Sequence, residues 1–380
     1  MKILHCCLAC FYIDNYSYQE NILPRYHQKM GHEVRIIAST ESFNENGEKT
    51  YVAPRRYVNE DGIQVIRLPY VSWMPAKVAH KLRRYVGLKR ELEDYRPDFI
   101  FLHDTQFLDI DMIRDYAKEH KVKIVADGHS DFSNSARGFV SRRILHGIIY
   151  KHCAKIIEPY VTKFYGVLPA RVDFFVDVYD LPREKVDLLI MGSEDEKADR
   201  AMAPEVRKQN RNRFNVGEED FLVVFGGKID IPKKQVLLLM DAVNHMADNV
   251  RLILFGSIVP ELKEEIEKRC SDRVSYIGWA DTEQSYDYFG MADVVCFPGR
   301  HSVYWEQVAG MGIPMIVKRW DGTTHVDCGG NVLFLEKDQE EEIRQSLERV
   351  MNDYDSYKKA ALACREKFMY SKIAEKSLAE

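Results

Sequence analysis

The sequence predicts an α/β protein of two successive domains, each a parallel sheet wrapped by helices on both faces. Three observations carry that prediction. The chain is 380 residues long and 46% hydrophobic, enough for two packed cores. Short apolar runs ending in turn residues alternate with stretches of helical spacing. The rhythm pauses in a polar, charge-rich segment at roughly 194–213 and then restarts.

In chain order, MKILHCCLACF reads as a first buried strand, and the helical spacing from Tyr18 to Met30 stops at Gly31. GHEVRIIAS and GIQVIRLPY follow as strands, then a helix through Leu92, the strand FIFLH at 99–103, a helix through His120 and the strand KIVADGH. A helix from Ser141 to Cys153 leads into KIIEP, and DLLIMGS closes the half, so the first domain spans 1–190 with a linker to about 213. The second domain, 214–365, repeats the pattern with FLVVFGG, NVRLILFGS, RVSYIGW, DVVCFPG, IPMIVKRW and NVLFLEK, separated by helices. Two such sheets facing across a cleft would place a ligand beyond the carboxyl ends of their strands.

The net charge of −5 hides an asymmetry, with 26 Lys+Arg against 21 Asp+Glu through residue 175 and 28 against 38 thereafter. A cationic front half anticipates an anionic partner, either a phosphate-bearing acceptor or a lipid headgroup surface. The cysteines at 6, 7, 10, 153, 270, 296, 328 and 364 have no paired spacing that would build a disulfide framework or a zinc site, which points to a reducing cytoplasm. Cys7 and Cys10 have redox-dithiol spacing but sit in a strand-like run, so they are read as structural. The N-terminal apolar run imitates a signal peptide, yet His5 interrupts it and no small-residue cleavage site follows. No apolar stretch reaches the roughly 20 residues of a membrane span.

Two turns carry chemistry. FLVVFGGKIDIPKK is a buried strand ending in Gly226 and Gly227, followed by Lys228 and then by Lys233 and Lys234 at a helix start. Glycine lets a backbone approach a ligand closely, and ammonium groups supply point charges for phosphate oxygens. The spacing is not that of a P-loop. In GRHSVYWEQVAGMGIP, a strand turns into a helix with His301 and Ser302 at its tip, where unpaired N–H groups attract phosphate. Ser302 and Glu306 are four apart, which would put both on one helical face, and a carboxylate there suits the diol of a ribose. Asp109 and Asp111 read as a paired-aspartate metal motif, with helix capping as the simpler account.

Several segments, in this order, resemble the retaining glycosyltransferases of family 4, whose GT-B fold is two Rossmann-like parallel-sheet domains facing across a cleft. The likeness covers most of the chain. GHEV resembles the first helix-to-strand turn, LLIMGSED the strand end before the linker, and GMGIPMIV with DGTTHVDCGGNVLFL the turn, strand and acidic loop of the donor domain. YSKIAEKSL resembles the terminal helix, here 366–380, that crosses back to the first domain. The resemblance implies that GGKIDIPKK supplies the two donor-diphosphate cations, Lys228 and Lys234, beside Gly227. It also implies that His129, in IVADGHSDF, stands beside the transferring sugar. His103 and Asp104 end another strand facing the same cleft, and Asp14 and Asn15 lie in the loop YIDNYSYQE, where the family has paired glycines.

The sequence also departs from the family. Counting back from Gly312 and Pro314 puts Gln307 at the second of the family's two glutamates, with Glu306 one place early, and the first glutamate has no counterpart. Helical-face reasoning favours Glu306 for the ribose and register favours Gln307.

The implied function is transfer of a sugar from a nucleotide-diphosphate sugar, UDP-linked, to a glycan or lipid-linked acceptor in cell-surface polysaccharide synthesis. Lys228, Lys234 and the helix tip would stabilise the departing phosphate, so no metal and no cofactor are expected. The expected location is the cytoplasm, at the inner face of the plasma membrane, with no nucleic-acid partner. Contact with anionic membrane is assigned to VSWMPAKVAHKLRRYVGLKREL, including Trp73, Met74 and Tyr85, and to SRRILHGIIYKH. A nucleotide-sugar 2-epimerase and a noncatalytic sugar-nucleotide-binding subunit are the alternatives. A dehydrogenase is disfavoured because no glycine fingerprint opens either sheet.

Overall fold

The computed structural model describes residues 1–44, 48–132, 134–136 and 138–378. It divides into two compact units: Met1–Ile190 with the chain from Ala374 onward, and Met191–Ile373.

In the first unit the strands are β1 (Lys2–Cys7), β2 (Glu33–Ala38), β3 (Glu41–Phe43), β4 (Lys49–Tyr51), β5 (Arg55–Val58), β6 (Gln64–Arg67), β7 (Phe99–His103), β8 (Lys123–Gly128), β9 (Val161–Gly166) and β10 (Val186–Leu188). They build an eight-stranded sheet ordered β10-β9-β8-β7-β1-β2-β6-β5, with β3 and β4 as a separate antiparallel pair. Every neighbouring pair in the main sheet is parallel except β5 on β6. β1 and β7 are buried almost throughout, as expected of central strands covered on both faces. The register pairs Ile3 with Phe99 and His103 with Asp127, which sets polar groups side by side at the carboxyl ends of β7 and β8.

The second unit holds β11 (Phe221–Gly226), β12 (Val250–Phe255), β13 (Val274–Tyr276), β14 (Val294–Phe297), β15 (Met315–Lys318) and β16 (Val332–Leu335). Its sheet is parallel throughout, ordered β13-β12-β11-β14-β15-β16. The order reverses between β11 and β14, and the turns after these two strands are where a doubly wound sheet opens for a ligand. Trp305, fully buried, packs against Phe297 with ring centroids 6.1 Å apart and anchors the helix Tyr304–Met311 beneath that opening.

Several expectations are corrected. The helix expected to end at Cys153 runs on through Ile157, and the strand that follows is β9, which the sequence reading does not contain. The stretch read as a linker at 194–213 forms two helices of the second unit, Asp195–Met202 and Pro204–Arg213. Arg207 and Arg211 fix the latter by donating to Asp293 at 2.6 and 3.1 Å. The helix expected through Leu92 breaks into Ala76–Leu82 and Leu88–Tyr95, with Arg83 in the left-handed region at φ 51°. Asp109 does not cap its helix; its carboxylate accepts from Arg84 Nε at 2.8 Å and from the Tyr85 backbone N–H. Cys328 and Cys364 are joined in a disulfide, whereas Cys6, Cys7, Cys10, Cys153, Cys270 and Cys296 are free.

Candidate functional site

In the second unit the site begins where β11 ends. A Cβ at Gly226 would come within 2.3 Å of Phe255, so only glycine lets β11 leave the sheet there. Gly227 follows at φ 133° and its N–H donates to Phe255 O at 3.0 Å. The chain then presents Lys228, exposed, with Nζ 3.9 Å from Asp230 Oδ2. A single turn, Ile231–Lys233, precedes the helix Val236–Asn244. Lys234 is exposed, whereas Lys233 is half-buried, and burial together with Lys228 lowers its ammonium pKa against the pull of Asp230.

The second wall comes from the end of β14. Gly299 packs on Lys233, whose Cα would lie 3.2 Å from a Cβ placed there, and its carbonyl accepts from Trp320 Nε1 at 3.2 Å. This contact brings the loop carrying His301 and Ser302 beside the lysines after β11. The helix proper starts at Tyr304, so Ser302 precedes it and does not share a helical face with Glu306, contrary to the sequence reading. Ser302 O accepts from Trp305 N at 2.9 Å and its Oγ lies 3.5 Å from Tyr304 N.

Glu306 is fully buried and its Oε1 accepts from two imidazoles, His301 Nε2 at 2.8 Å and His325 Nε2 at 2.7 Å. Burial alone would raise its carboxyl pKa, but His301 and His325 more than offset this and hold it at about 2. Oε1 is thus committed to the two imidazoles, a triad that places Glu306 behind His301, while Glu306 Oε2 and His325 Nδ1 are buried without a hydrogen-bond partner among the described residues. Gln307, at the same helix start, donates to Ser285 Oγ at 3.2 Å and is slightly exposed. The ligand-type atoms of His301, Glu306 and His325 lie within 4.8 Å of one another, but both histidines already donate to one oxygen, a hydrogen-bonded geometry rather than an open metal cage.

In the first unit, His129 follows β8 and is partly exposed, with Nε2 3.4 Å from Asp127 Oδ1 and 3.9 Å from Glu20 Oε1. Burial disfavours its charge, yet Asp127 and Glu20 raise its pKa. His103 and Asp104, expected to face a ligand, are buried instead. His103 donates from Nδ1 to Asp127 Oδ2 at 3.1 Å and contacts His5 through Nε2 at 3.0 Å, so both ring nitrogens are spent on the protein. Asp104 sits at φ 69° and accepts from Thr105 N at 2.6 Å and Gln106 Nε2 at 3.0 Å, while burial lifts its carboxyl pKa to about 6. Asp14 is partly exposed but clamped, accepting from Tyr57 OH at 2.6 Å and lying 3.3 Å from Arg67. Asn15, at φ 63°, donates its backbone N–H to Glu60 at 3.0 Å.

Sequence reasoning missed His325, Asp127 and Glu20. Asp127 could have been found, since it stands two residues before His129 on the same strand end; His325 carried no local signal.

Two parallel-sheet units, the second with cations and a histidine gathered at its switch point, define a GT-B architecture. Residues 220–353 match the model of the family described as Glycosyl transferases group 1, so the chain carries a group 1 glycosyltransferase domain. Among curated proteins, none matches the sequence. Solved structures agree on the fold. A glycosyltransferase from Rickettsia africae ESF-5 is similar with a TM-score of 0.70 and 13% identity, over 99% of this chain and 96% of that one. Anabaena Alr3699/HepE in complex with UDP gives 0.66 and 15%, over 99% and 98%. A UDP-GlcNAc 2-epimerase from Neisseria meningitidis bound to UDP-GlcNAc gives 0.63 and 11%, over 100% and 99%.

Proposed function

We propose that the chain moves a sugar from a nucleotide-diphosphate sugar, UDP-linked, to a glycan or lipid-linked acceptor in cell-surface polysaccharide synthesis, with retained anomeric configuration and without a metal ion. One observation carries this reading: the segment that matches the glycosyltransferase family also presents Gly227, Lys228, Lys234 and His301 at the ends of β11 and β14. When a sugar leaves a nucleoside diphosphate, negative charge builds on the departing phosphate. Ammonium groups and helix-terminal N–H groups fixed beside it stabilise that charge. Lys228 and Lys234 supply the mobile cations. His301, aimed by Glu306, and Ser302 supply the directed donors, and Gln307 remains for the ribose. His129 is assigned to the transferring sugar, and the partly exposed Asp14 and Asn15 to the acceptor side.

Membrane contact is assigned to the segment around Ser141–Tyr150. No helix among the described residues is long and apolar enough to cross a membrane. Phe139, Val140, Ile144 and Ile148 are exposed beside Arg142 and Arg143, and Tyr150 OH donates to Lys81 O at 2.8 Å, tying in the segment with exposed Trp73. Tyr85, Arg83 and Arg84 drop out of that surface, being committed to Leu8 O, Gln106 O and Asp109. Such a face suits the inner leaflet of an anionic membrane.

The test is a panel of nucleotide sugars incubated with the protein, with and without EDTA. Hydrolysis or transfer that survives EDTA, with the anomer retained, is the expected result. Loss of activity with EDTA removes the metal-free mechanism. Conversion of the donor to its 2-epimer would support the second reading, which the likeness to the 2-epimerase favours. Binding without turnover would support a noncatalytic subunit.

A further inference from the structure

Within the first unit a line of buried polar side chains runs from the last helix to His129, and its hydrogen bonds leave little freedom for the protons. Ser377 Oγ donates to Ala374 O at 2.8 Å, so that oxygen is left to accept from His27 Nε2, also at 2.8 Å. His27 therefore carries its proton on Nε2 and offers Nδ1 as an acceptor. His5 Nε2 lies 2.9 Å from that Nδ1 and must donate to it. His5 Nδ1 then accepts from His103 Nε2 at 3.0 Å. On its other side, His103 Nδ1 faces Asp127 Oδ2 at 3.1 Å. His5, His27, His103, Asp127 and Ser377 are all fully buried, so water does not relax these demands.

A neutral imidazole has one N–H, yet His103 is flanked by two acceptors. The pair it makes with Asp127 must hold one proton more than a neutral histidine beside a carboxylate. Imidazole is the stronger base of the two, and Asp127 Oδ1 also accepts from the Asp104 N–H at 3.2 Å. We propose that His103 is a standing imidazolium paired with an Asp127 carboxylate, that its charge is dictated through His5 and His27 by the Ser377 hydroxyl, and that the pair positions His129.

His5 and His27 complete the electrostatics. Burial is the main reason both stay neutral, with His27 lowered to about 3 and His5 lowered well below its ordinary value. Burial also opposes a charge on His103, but Cys7 and Asp127 outweigh it and lift the imidazole to about 9. Asp127 is held well below the carboxylate range by His103 and His129 against its own burial. The remaining charged groups around His129 are Glu20 on the first helix and Arg171, which opposes its charge; Asp104 faces it from the end of β7. His103 and Asp127 are positioning residues: neither is aimed at a ligand, and both act through the Oδ1 edge that faces His129. The charge assignment stands on the hydrogen bonds alone; only the positioning role rests on the reading of His129 as the residue at the transferring sugar.

The experiment is 15N NMR of histidine-labelled full-length protein across pH, with transfer assays on the same samples. At pH near 7, His5 and His27 should be neutral with the proton on Nε2, and His103 should be protonated on both nitrogens until about pH 9. Ser377→Ala lets the line reverse, and His103 should then lose its proton about one pH unit or more earlier. Ser377→Thr, which keeps the hydroxyl, should restore it. The pH profile of transfer should move with His103 in the first variant and return in the second. A neutral His103 in the unaltered protein, or a titration untouched by Ser377→Ala, overturns the charge assignment. A shifted His103 with an unshifted pH profile overturns the positioning role. Absence of transfer with every donor, beside an intact imidazolium, would overturn the transferase reading and leave the charge assignment standing.

Discussion

A carboxylate with no exposure survives folding only when donors reach it, and Glu306 has two of them on one oxygen. Its folded pKa of about 2 lies below the ordinary 4.5. A depressed carboxyl pKa contributes stability that is complete above the unfolded value and lost as pH falls through the folded one, so the window is pH 4.5 down to 2. The linkage is on the order of 3 kcal/mol. Urea unfolding of Glu306→Gln should therefore show a flatter pH dependence between those values, and Glu306→Ala should lose about 3 kcal/mol at neutral pH; an unchanged pH slope would refute the triad. His301 should suffer in both variants, raising KM for the donor more than it lowers stability in Glu306→Gln. Part of this was legible. The lysines after β11 and the histidine after β14 could be read because strand-end turns announce themselves in sequence. Glu306's partner His325 lies 19 residues on, and His103's partner Asp127 lies 24 away, joined only by folding. Pairings of that kind leave no spacing signal, so the sequence suggests a ribose role for Glu306 and nothing of its bonds to two histidines.

Elements were read well where both faces are buried, because an uninterrupted apolar run such as Leu222–Phe225 has no other explanation. β9 was missed for the opposite reason. Thr162 and Lys163 break its apolar pattern, and the helix Lys151–Ile157 runs into it through a three-residue turn without a glycine. The segment Ser141–Tyr150 was read as an ordinary helix, but it is a wide π-type turn structure in which the Lys151 N–H reaches back to His146 O. That winding turns Ile144 and Ile148 outward. Replacing both by Glu should weaken sedimentation with anionic liposomes about tenfold or more while leaving the melting temperature nearly unchanged, since two buried isoleucines are worth about 3 kcal/mol or more at an interface. Equal binding by the variant, or no binding by the unaltered protein at low salt, would remove the membrane assignment. The Cys328–Cys364 bond ties the loop after His325 to the end of the helix Tyr354–Cys364, closing a separation of 36 residues. Alkylation of the unfolded, unreduced protein should label six cysteines, and all eight after reduction; the reduced protein should be less stable by about 3 to 4 kcal/mol.

At the scale of the whole molecule, the first unit is not continuous in sequence: it needs the chain from Ala374 onward. Ala374 and Ser377 are fully buried, Lys376 Nζ donates to Leu188 O at 2.7 Å, and Tyr165 OH donates to Lys376 O at 3.2 Å. Cutting the chain after Ile373 would remove these bonds and leave the buried His27 Nε2–H with no acceptor. An orphaned buried donor costs about 1 to 3 kcal/mol, and the lost apolar cover adds to it. The loss belongs to the first unit, because the removed residues pack within it. Amide hydrogen exchange should therefore quicken in β1, β7 and β8, where His5, His103 and Asp127 sit, and stay unchanged in β11, β14 and β15. Ser377→Ala should give a smaller change with the same distribution, since it removes the acceptor and keeps the packing. Acceleration spread evenly over both sheets would mean that the tail stabilises the molecule in some other way than by closing the histidine line. No acceleration at all would mean that the line does not depend on Ser377.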